Sequence, residues 1–352
     1  MVSMYVYAII PSGDKVIFDA AGVDDDHDEV YSVPYRDLGA VVSASSLVDY
    51  RRLKRDRAAH FLVAHQRVVE AAMQALPVLP VKFGTVLPDK ASVRRLLAQG
   101  ETLFHTTLKR FARLVQMEVI VLWNLQEVFK EISQEEPIAR LKAQMAARPP
   151  DETMAERVAV GQLVQASLER RRAALRDRLL PPLREVASDL VINPLMDDSM
   201  VANMALLVDE KGRGDLDQRL GLLDKESGGR LLFRCVGPLP PYSFATVEVQ
   251  VPSFRAVDIA RRQLSLGETA TLGEIRHAYY RLAGLLHPDH NPKEADAEAG
   301  MAGLTEAYRL LTAYAESQGP GAKNRQQASC RFDQQTVEQA LLITIRRQEM
   351  PA

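Results

Sequence analysis

The sequence predicts an α+β protein in which two mixed domains are followed by a helical C-terminal module. Three observations indicate this class. Short runs of β-forming residues alternate with helical stretches in the first third, and a long helical stretch precedes a strand–helix–strand pattern in the middle. Only helical patterns follow residue 252, and the 352 residues are enough for two or three domains with separate cores.

The first domain, residues 1–124, is predicted to be a ferredoxin-like α/β sandwich. Residues 4–10 and 39–43 have the composition of strands, and residues 53–76 have the apolar spacing of a long amphipathic helix, which Pro77 ends. Strands that alternate with helices packing on one sheet are typical of this sandwich.

Two later strands are expected to complete the N-terminal sheet. The run VLPVKF at 78–83 contains Pro80, which cannot donate a ladder hydrogen bond, so we predict an edge or bulged strand. The run EVIVLW at 118–123 is continuously apolar, which predicts a strand buried on both faces. Helical patterns at about 89–99 and 101–115 lie between these two runs.

The second domain, residues 125–252, is predicted to combine long helices with a second α+β unit. A linker at 146–152 precedes the longest helical pattern of the chain. Residues 203–209 and 231–236 then have the composition of strands, with a helix at about 215–226 between them.

The segment GPLPPYSF at 237–244 follows the last of these strands directly. Its three prolines fix φ and favour an extended, rigid segment in which Tyr242 and Phe244 point to one side. The alternative is a stiff turn that caps the core of the second domain.

The C-terminal part is predicted to be a helical module at 253–316, followed by a loop and a last helix within 317–352. The expected helices are at about 255–266, 272–286, 294–315 and 334–347. The last one is predicted because Val337, Leu341 and Ile345 are spaced four apart.

Composition excludes several classes of function. The formal net charge of −2 creates no field that would attract nucleic acid or an anionic membrane. The N-terminus lacks a signal-peptide pattern, and no run reaches the roughly 18 apolar residues of a membrane span. The two cysteines, Cys235 and Cys330, exclude a disulfide framework, so a reducing, cytoplasmic location is predicted.

No motif predicts catalysis, a metal or a cofactor. The chain has no phosphate-binding loop, no nucleophile elbow and no zinc-protease helix motif. His277, His287 and His290 are close in sequence, but their spacing matches no standard zinc site. A metal-dependent hydrolase that uses these histidines is kept as an alternative to a protein without enzyme activity.

Two segments resemble a known family. PVLPVKFGTVLPD at 77–89 and CVGPLPPYSF at 235–244 resemble the signatures of the gas vesicle protein GvpL/GvpF family, with a departure at Leu239, where tryptophan is common. The resemblance covers about residues 4–250. It implies an accessory or minor structural protein of gas vesicle assembly that binds the hydrophobic shell protein and other gas vesicle proteins, and it brings no catalytic residues. The signature residues in this chain are Pro80, Phe83, Gly84, Gly237, Pro238, Pro240, Pro241, Tyr242, Ser243 and Phe244.

The C-terminal module has the pattern of a helical hairpin at 270–311. Thr271 and Glu274 have the spacing of a capping box, and apolar residues at helical spacing follow them. Pro288 and Pro292 end this helix, so an exposed loop is expected before the next one.

This pattern, at about 255–316, is similar to a J domain, the module that stimulates Hsp70-type ATPases. The partner-binding residues that the resemblance implies are His287, Pro288, Asp289, Arg276, Tyr279 and Arg281. The chain departs from the family because Tyr280 and Leu285 stand where lysines are usual. The segment 265–316 also contains four basic and eight acidic side chains, and this excess of negative charge would repel an acidic partner.

Together these patterns predict an interaction protein of gas vesicle assembly, associated with the vesicle. The α+β domains would bind the shell protein by strand addition, at VLPVKF or near GPLPPYSF, and the J-like module would engage an Hsp70. Two further alternatives are a J-like module that serves another contact and a general Hsp70 co-chaperone.

Overall fold

The computed structural model describes residues 3–24, 29–46, 50, 53–146, 148–286, 297–318 and 329–348. The strands are β1 (Ser3–Ile10), β2 (Ile17–Ala21), β3 (Glu29–Tyr35), β4 (Leu38–Ser45), β5 (Leu79–Pro80), β6 (Val86–Leu87), β7 (Leu114–Trp123), β8 (Asp189–Ile192), β9 (Met200–Asp209), β10 (Leu231–Leu239), β11 (Thr246–Gln250), β12 (Thr269–Thr271), β13 (Ser329–Arg331) and β14 (Leu342–Arg346). The helices are α1 (Arg55–Ala75), α2 (Lys90–Phe111), α3 (Leu125–Ile132), α4 (Glu136–Ala146), α5 (Met154–Val186), α6 (Arg213–Ser227), α7 (Phe254–Gln263), α8 (Leu272–Leu286), α9 (Ala297–Gln318) and α10 (Gln334–Gln339).

The chain forms two compact units, each of which gathers segments from distant parts of the sequence. The first comprises Met1–Lys109 and Ala245–Arg346, and the second comprises Arg110–Phe244 and Arg347–Ala352. The predicted α+β class is confirmed, whereas the domain limits at 124, 252 and 316 stay predictions.

The first unit is built on a six-stranded antiparallel sheet in the order β2-β3-β4-β1-β5, with β6 also paired to β1. From Met4 to Ile10 every residue of β1 is buried, as expected of a central strand that is covered on both faces. Helix α1 packs on this sheet through a stripe that includes Phe61, His65 and Val68.

The second unit has the β-α-β-β-α-β element order of a ferredoxin-like fold. Strand β7, the helices α3 to α5, strands β8 and β9, helix α6 and strand β10 follow one another, and the antiparallel sheet has the order β10-β7-β9-β8. The ferredoxin-like arrangement therefore lies in the second unit, and its prediction for residues 1–124 is corrected.

The correction concerns the EVIVLW run above all. Its residues alternate between buried and half-buried, so the predicted burial on both faces is wrong. The run belongs to β7, which pairs with β9 and β10 and not with the N-terminal sheet. A buried apolar run indicates a central strand, but it does not indicate which sheet the strand joins.

The C-terminal module belongs to the first unit and contains more than a helical hairpin. Helices α7, α8 and α9 share one core with the segment after α9, which contributes Cys330, Phe332 and Val337. Tyr314 of α9 is buried in the same core, and its hydroxyl donates to the carbonyl oxygen of Arg331. The segment from 329 onwards is therefore an integral part of the module.

The predicted C-terminal helix at 334–347 is wrong in its second half. Helix α10 ends at Gln339, and β14 then pairs antiparallel with β11, so that Val247 lies opposite Ile345. The β-branched run Ile343–Thr344–Ile345 favours a strand once a partner strand is available. Of the three residues whose four-residue spacing suggested a helix, only Val337 belongs to the core of the module.

We expect that Phe332→Ala destabilises the whole C-terminal module. The side chain of Phe332 is 3% exposed and packs in the core shared by α7, α8 and α9, so its removal leaves a cavity. The loss should be about 3–5 kcal/mol, measured as the free energy of opening from amide hydrogen exchange in α8 and α9. The exposed Gln335→Ala is the control, and equal protection in both variants would show that the C-terminal segment is not part of this core.

Candidate partner-binding surfaces

The N-terminal signature segment is enclosed by its neighbours on both edges. Pro80 is buried in β5, the N–H of Val81 donates to the carbonyl of Tyr7 (2.9 Å), and that of Lys82 donates to the carbonyl of Val247 (2.8 Å). Strand β5 lies at the end of its sheet, as predicted for an edge strand, but β11 bridges its outer side. Strand addition at VLPVKF would therefore have to displace β11.

Phe83 and Gly84 hold this segment against an aromatic cluster. Gly84 has φ of 81°, a left-handed conformation that favours glycine, and its N–H donates to the hydroxyl of Tyr5 (2.9 Å). The ring of Phe83 lies 5.8 Å from those of Tyr50 and His65, centroid to centroid. These signature residues therefore stabilise the loop and are not exposed for a partner.

His65 of α1 joins the aromatic cluster to the signature segment. Its Nδ1 lies 3.0 Å from the hydroxyl of Tyr5, and the ring also makes a hydrogen bond with the backbone of Val81. Burial lowers the pKa of His65 to about 4, so the ring is neutral at pH 7. Burial likewise raises the pKa of the neighbouring Tyr7.

The second signature segment begins at a position that only glycine can occupy. Gly237 has φ of 144°, and an added Cβ would lie 2.7 Å from Sδ of Met117 and 2.9 Å from the carbonyl oxygen of Gln116. The register between β10 and β7 shifts between Val236 and Leu239, so Gly237 and Pro238 form a bulge at the end of the paired region.

After Leu239 the segment turns and is largely buried. Phe244 donates its N–H to the carbonyl of Pro241 (3.0 Å), and Ser243 donates its N–H to Oε1 of Gln116 (2.8 Å). The prediction of an extended segment with Tyr242 and Phe244 on one side is therefore wrong, since residues 241–244 form a turn. The alternative, a stiff turn that caps the core, agrees with the structure because proline also fixes φ in turns.

The two edge strands of the ferredoxin-like sheet, β8 and β10, differ in what covers their outer sides. At β8, the guanidinium of Arg347 donates to Asp189 (2.6 Å) and to the carbonyl of Leu190 (3.1 Å), and so covers part of that edge. At β10, no strand pairs with the outer side anywhere in the described ranges. Leu232 is 53% exposed and Val236 is 51% exposed on this strand.

Beside this edge, the face of the sheet that carries Leu232 and Val236 has apolar side chains next to the charged Arg234. Leu232 lies opposite Leu122, and Arg234 lies opposite Ile120 of β7, with the two β7 side chains only half-buried. An unpaired edge next to exposed apolar side chains is the arrangement to which an extended segment of another protein can add. Residues 231–236 of β10 and these neighbours are called the β10 edge below.

The first helix of the C-terminal hairpin begins with the predicted capping box. The N–H of Thr271 donates to Oε2 of Glu274 (2.7 Å), and the N–H of Glu274 donates to Oγ1 of Thr271 (3.2 Å). These hydrogen bonds hold the pKa of Glu274 below its usual range.

The predicted J-like contact residues divide into two groups. Arg276 and Arg281 are exposed on α8, whereas Tyr279 stacks on Tyr308 of α9 with centroids 4.3 Å apart and therefore packs inside the hairpin. Tyr280, 66% exposed, stands between the two arginines and is the aromatic residue available at that face. The predicted loop residues His287, Pro288 and Asp289 lie outside the described residues.

One group of potential metal ligands occurs in the described part of the chain, and it is not the predicted one. Asp37, Glu101 and His105 bring ligand atoms within 4.8 Å of one another. The guanidinium of Arg36 donates to both oxygens of Glu101 (2.6 and 2.7 Å), which already satisfies that carboxylate. Of the histidines considered for a hydrolase, His277 is exposed on α8 and the other two lie outside the described residues.

Comparison with known proteins assigns the larger part of the chain. The family model "Gas vesicle synthesis protein GvpL/GvpF" matches residues 3–246. The chain belongs to this family. Within the GvpL/GvpF region lie both signature segments, the complete second sheet and the β10 edge.

The GvpL/GvpF relatives are matched over nearly their whole length. Gas vesicle protein F of Microcystis aeruginosa (strain PCC 7806) is 26% identical over 251 residues, which are 69% of this chain and 98% of that protein. Gas vesicle protein F of Streptomyces sp. (strain CB03234) is 27% identical over 245 residues, 69% of this chain and 99% of that protein.

Two crystal structures of GvpF share the fold. That of Anabaena sp. PCC7120 superposes with a TM-score of 0.57 at 22% identity, and that of Microcystis aeruginosa with 0.53 at 23%. Each alignment covers 69% of this chain and 98% of the other.

A DnaJ domain extends this member of the GvpL/GvpF family. The DnaJ family model matches residues 262–317, in agreement with the predicted J-like region. It begins inside α7 and ends at α9, so it leaves out the segment from β13 to β14 that completes the core of the module.

None of the described helices is both long and apolar enough to cross a bilayer.

The sequence placed strand addition near GPLPPYSF, the segment that overlaps the end of β10, but it did not identify β10 as an edge strand. The alternation in LLFRCV indicated a strand, but an edge strand is recognised only when its neighbours in the sheet are known. The available signal was the pair Leu232 and Val236, apolar residues on the same side of the strand as Arg234.

Lowering the pH should destabilise the first unit through His65. The unfolded histidine titrates near its usual pKa of 6.5 and the folded one near 4, so the stabilisation is complete above pH 6.5 and is lost as the pH falls towards 4. The loss attributable to this residue is about 3 kcal/mol, measured by amide hydrogen exchange of α1 and β1.

The pH dependence has a matched control on the same helix. His65→Gln should flatten the fall in stability between pH 6.5 and 4, and the exposed His60→Gln should keep it. If His65→Gln retained the full pH dependence, the titration would have to be assigned to other groups.

Proposed function

We propose that this protein is an accessory protein of gas vesicle assembly that binds the hydrophobic shell protein at the β10 edge and engages an Hsp70 through α8. It acts by binding and not by catalysis, in the cytoplasm and in association with the gas vesicle. Membership of the GvpL/GvpF family supports the process, and the DnaJ match supports the second partner.

The observation that carries the shell-binding part is the unpaired β10 edge. A shell subunit with exposed apolar strand edges would pair with its own copies, and strand addition to another protein satisfies the same backbone groups. The edge has six residues before the bulge at Gly237, which is enough for main-chain pairing.

Other sheet edges are less suited to this role. The outer side of β5 is bridged by β11, and Arg347 covers part of β8. Strand β2, at the far end of the first sheet, is five residues long and has a register shift between Phe18 and Ala21, an irregularity that discourages pairing.

The observation that supports the Hsp70 part is the local charge of α8. The module as a whole has more acidic than basic residues, but the exposed face of this helix carries Arg276 and Arg281 on either side of Tyr280. The one acidic residue of this helix, Glu274, is engaged in the capping box at its start. A locally positive face fits an acidic partner surface despite the net charge of the module.

A general Hsp70 co-chaperone is the second candidate, and the DnaJ match is the observation that favours it. It differs from the first proposal in the clients it predicts. A general co-chaperone binds many unrelated unfolded chains with similar affinity, whereas an assembly protein of gas vesicles prefers the shell protein over unfolded controls.

Charges placed on the β10 edge should weaken binding to the shell protein. Leu232→Lys with Val236→Lys removes two half-exposed apolar side chains and places two cations beside the incoming strand. We expect affinity for a soluble fusion of the shell protein to fall at least about tenfold in a direct binding titration.

The control for this variant is Met196→Lys, a change at a side chain that is 81% exposed in the loop before β9. This control should bind as the unchanged protein does. Equal affinity of the double lysine variant and the unchanged protein would rule out the β10 edge as the shell-binding site.

Removing the two arginines of α8 should weaken the response of an Hsp70. Arg276→Ala with Arg281→Ala takes away the exposed positive charges of the helix without touching the core of the module. Stimulation of single-turnover ATP hydrolysis by an Hsp70 should fall about tenfold at low salt.

Arg309→Ala is the matched control for the loss of positive charge, since Arg309 is an exposed arginine of α9. It should leave the stimulation unchanged. An Hsp70 whose hydrolysis rate is the same with and without the unchanged protein would refute this part of the proposal.

A further inference from the structure

A cleft of about 340 Å³ opens on the helical side of the ferredoxin-like sheet, and nothing described so far uses it. It lies among α3, α5 and α6, at the end of β7 and the start of β10. Its apolar lining includes Trp123, Val128, Leu175, Leu179, Leu223 and Leu231. Its size is at the lower end of the range for ligand pockets.

The cleft is lined by equal numbers of acidic and basic side chains, and part of them form ion pairs. Arg171 pairs with Glu131 and with Glu135, and the indole N–H of Trp123 donates to the carbonyl of Asp198 (2.8 Å). Two more arginines and two more glutamates line the cleft: Arg178, Arg230, Glu127 and Glu226. The chemistry of the cleft therefore fits an uncharged, apolar group.

The cleft is continuous with the β10 edge through Leu231. This residue lines the cleft and is also the first residue of β10, opposite Trp123 in the ladder. Cys235 lies on the same side of β10, and the pKa of its thiol is raised by burial and then by Asp217 of α6, which places this side of the strand towards the helices.

A strand added along β10 would place one side chain at the mouth of this cleft. Residues directly opposite each other in neighbouring strands have Cβ atoms about 4.5–5.5 Å apart and point to the same face. The residue opposite Leu231 in the added strand therefore points to the helical side, beside the cleft.

We propose that this cleft receives one large apolar side chain of the strand that pairs with β10, and so selects which strand can bind. The inference rests on the proposed function, in which that strand belongs to the gas vesicle shell protein. Main-chain pairing is indifferent to sequence, so the cleft would supply the specificity that the edge alone lacks. The occupant is a leucine, isoleucine or phenylalanine opposite Leu231.

The charge of the edge argues against a second copy of this chain as the occupant. Two β10 edges paired antiparallel about their middle would bring Arg234 close to Arg234 of the other copy, and like charges opposite each other are destabilising. A partner strand with an acidic or uncharged residue at that place has no such conflict.

Filling the cleft without changing β10 tests the proposal. Ala174 lines the cleft from α5 and is exposed, so Ala174→Phe occupies the space from within, whereas Ala166→Phe adds the same side chain elsewhere on α5. We expect Ala174→Phe to weaken binding to the soluble shell-protein fusion about 10- to 100-fold, and Ala166→Phe to leave it unchanged.

A spectroscopic readout reports on the cleft itself. Trp123 is the single tryptophan of the chain and lines the cleft, so its emission should shift when the shell-protein fusion binds to the full-length protein. The shift should persist with Ala166→Phe and be lost with Ala174→Phe at saturating partner.

The outcomes separate this inference from the function on which it rests. If the lysine variant of the β10 edge loses binding while Ala174→Phe binds normally, the cleft proposal is wrong and the edge proposal stands. If neither variant affects binding, both are wrong. A concentration-dependent dimer of this chain that Ala174→Phe dissociates would identify a second copy as the occupant and overturn the proposal.

Discussion

The pairing of β11 with β14 is the interaction on which the position of the C-terminal module depends. Five residue pairs join the strand that precedes the module to the strand that ends it. At the centre of this pairing the carboxylate of Glu248, whose side chain is only 4% exposed, lies between Lys82 and Arg346 and forms an ion pair with each. A buried carboxylate without its partners is costly, so these three residues favour the paired arrangement over its alternatives.

This pairing connects the family signature to the added module. Lys82 belongs to the N-terminal signature segment, and its N–H also donates to Val247 of β11. The DnaJ domain is therefore not carried on a flexible tether. Three residues, 251–253, separate β11 from α7, and the module returns to β11 through β14. An Hsp70 that docks on α8 would be held at a set position relative to the N-terminal sheet, which raises its effective concentration there.

Much of the fold could be predicted because its signals are local. The capping box of Thr271 and Glu274 forms as its spacing indicates, and the EVIVLW run is part of a strand. What failed was the assignment of strands to sheets. Strand β7 joins β9 and β10, which are 77 or more residues further along the chain, and no local pattern records such a pairing. The prediction of a C-terminal helix was wrong for the same reason, since residues 342–346 become a strand only because β11 offers an edge.

The candidate sites were predictable to a smaller degree, because a signature marks whatever a fold requires and not only what a partner touches. Met117 leaves no room for a side chain at Gly237, and the backbone at Gly84 is left-handed, a conformation that favours glycine. Phe83 packs in an aromatic cluster, so all three residues support the fold. The proposed docking surface, the β10 edge, has the opposite character. Leu232 and Val236 lie on a strand whose neighbours on one side are absent from the described sheet, and their exposure is visible only in the assembled unit.

Proteins generally block sheet edges that could pair with other chains. In this protein β11 covers the outer side of β5, and Arg347 covers part of β8. At β10 the blocking is only partial, because Arg234 opposes a second copy while the apolar residues on either side of it stay accessible. A strand edge that is protected against itself and left open to others is the expected property of a protein that receives an aggregation-prone partner.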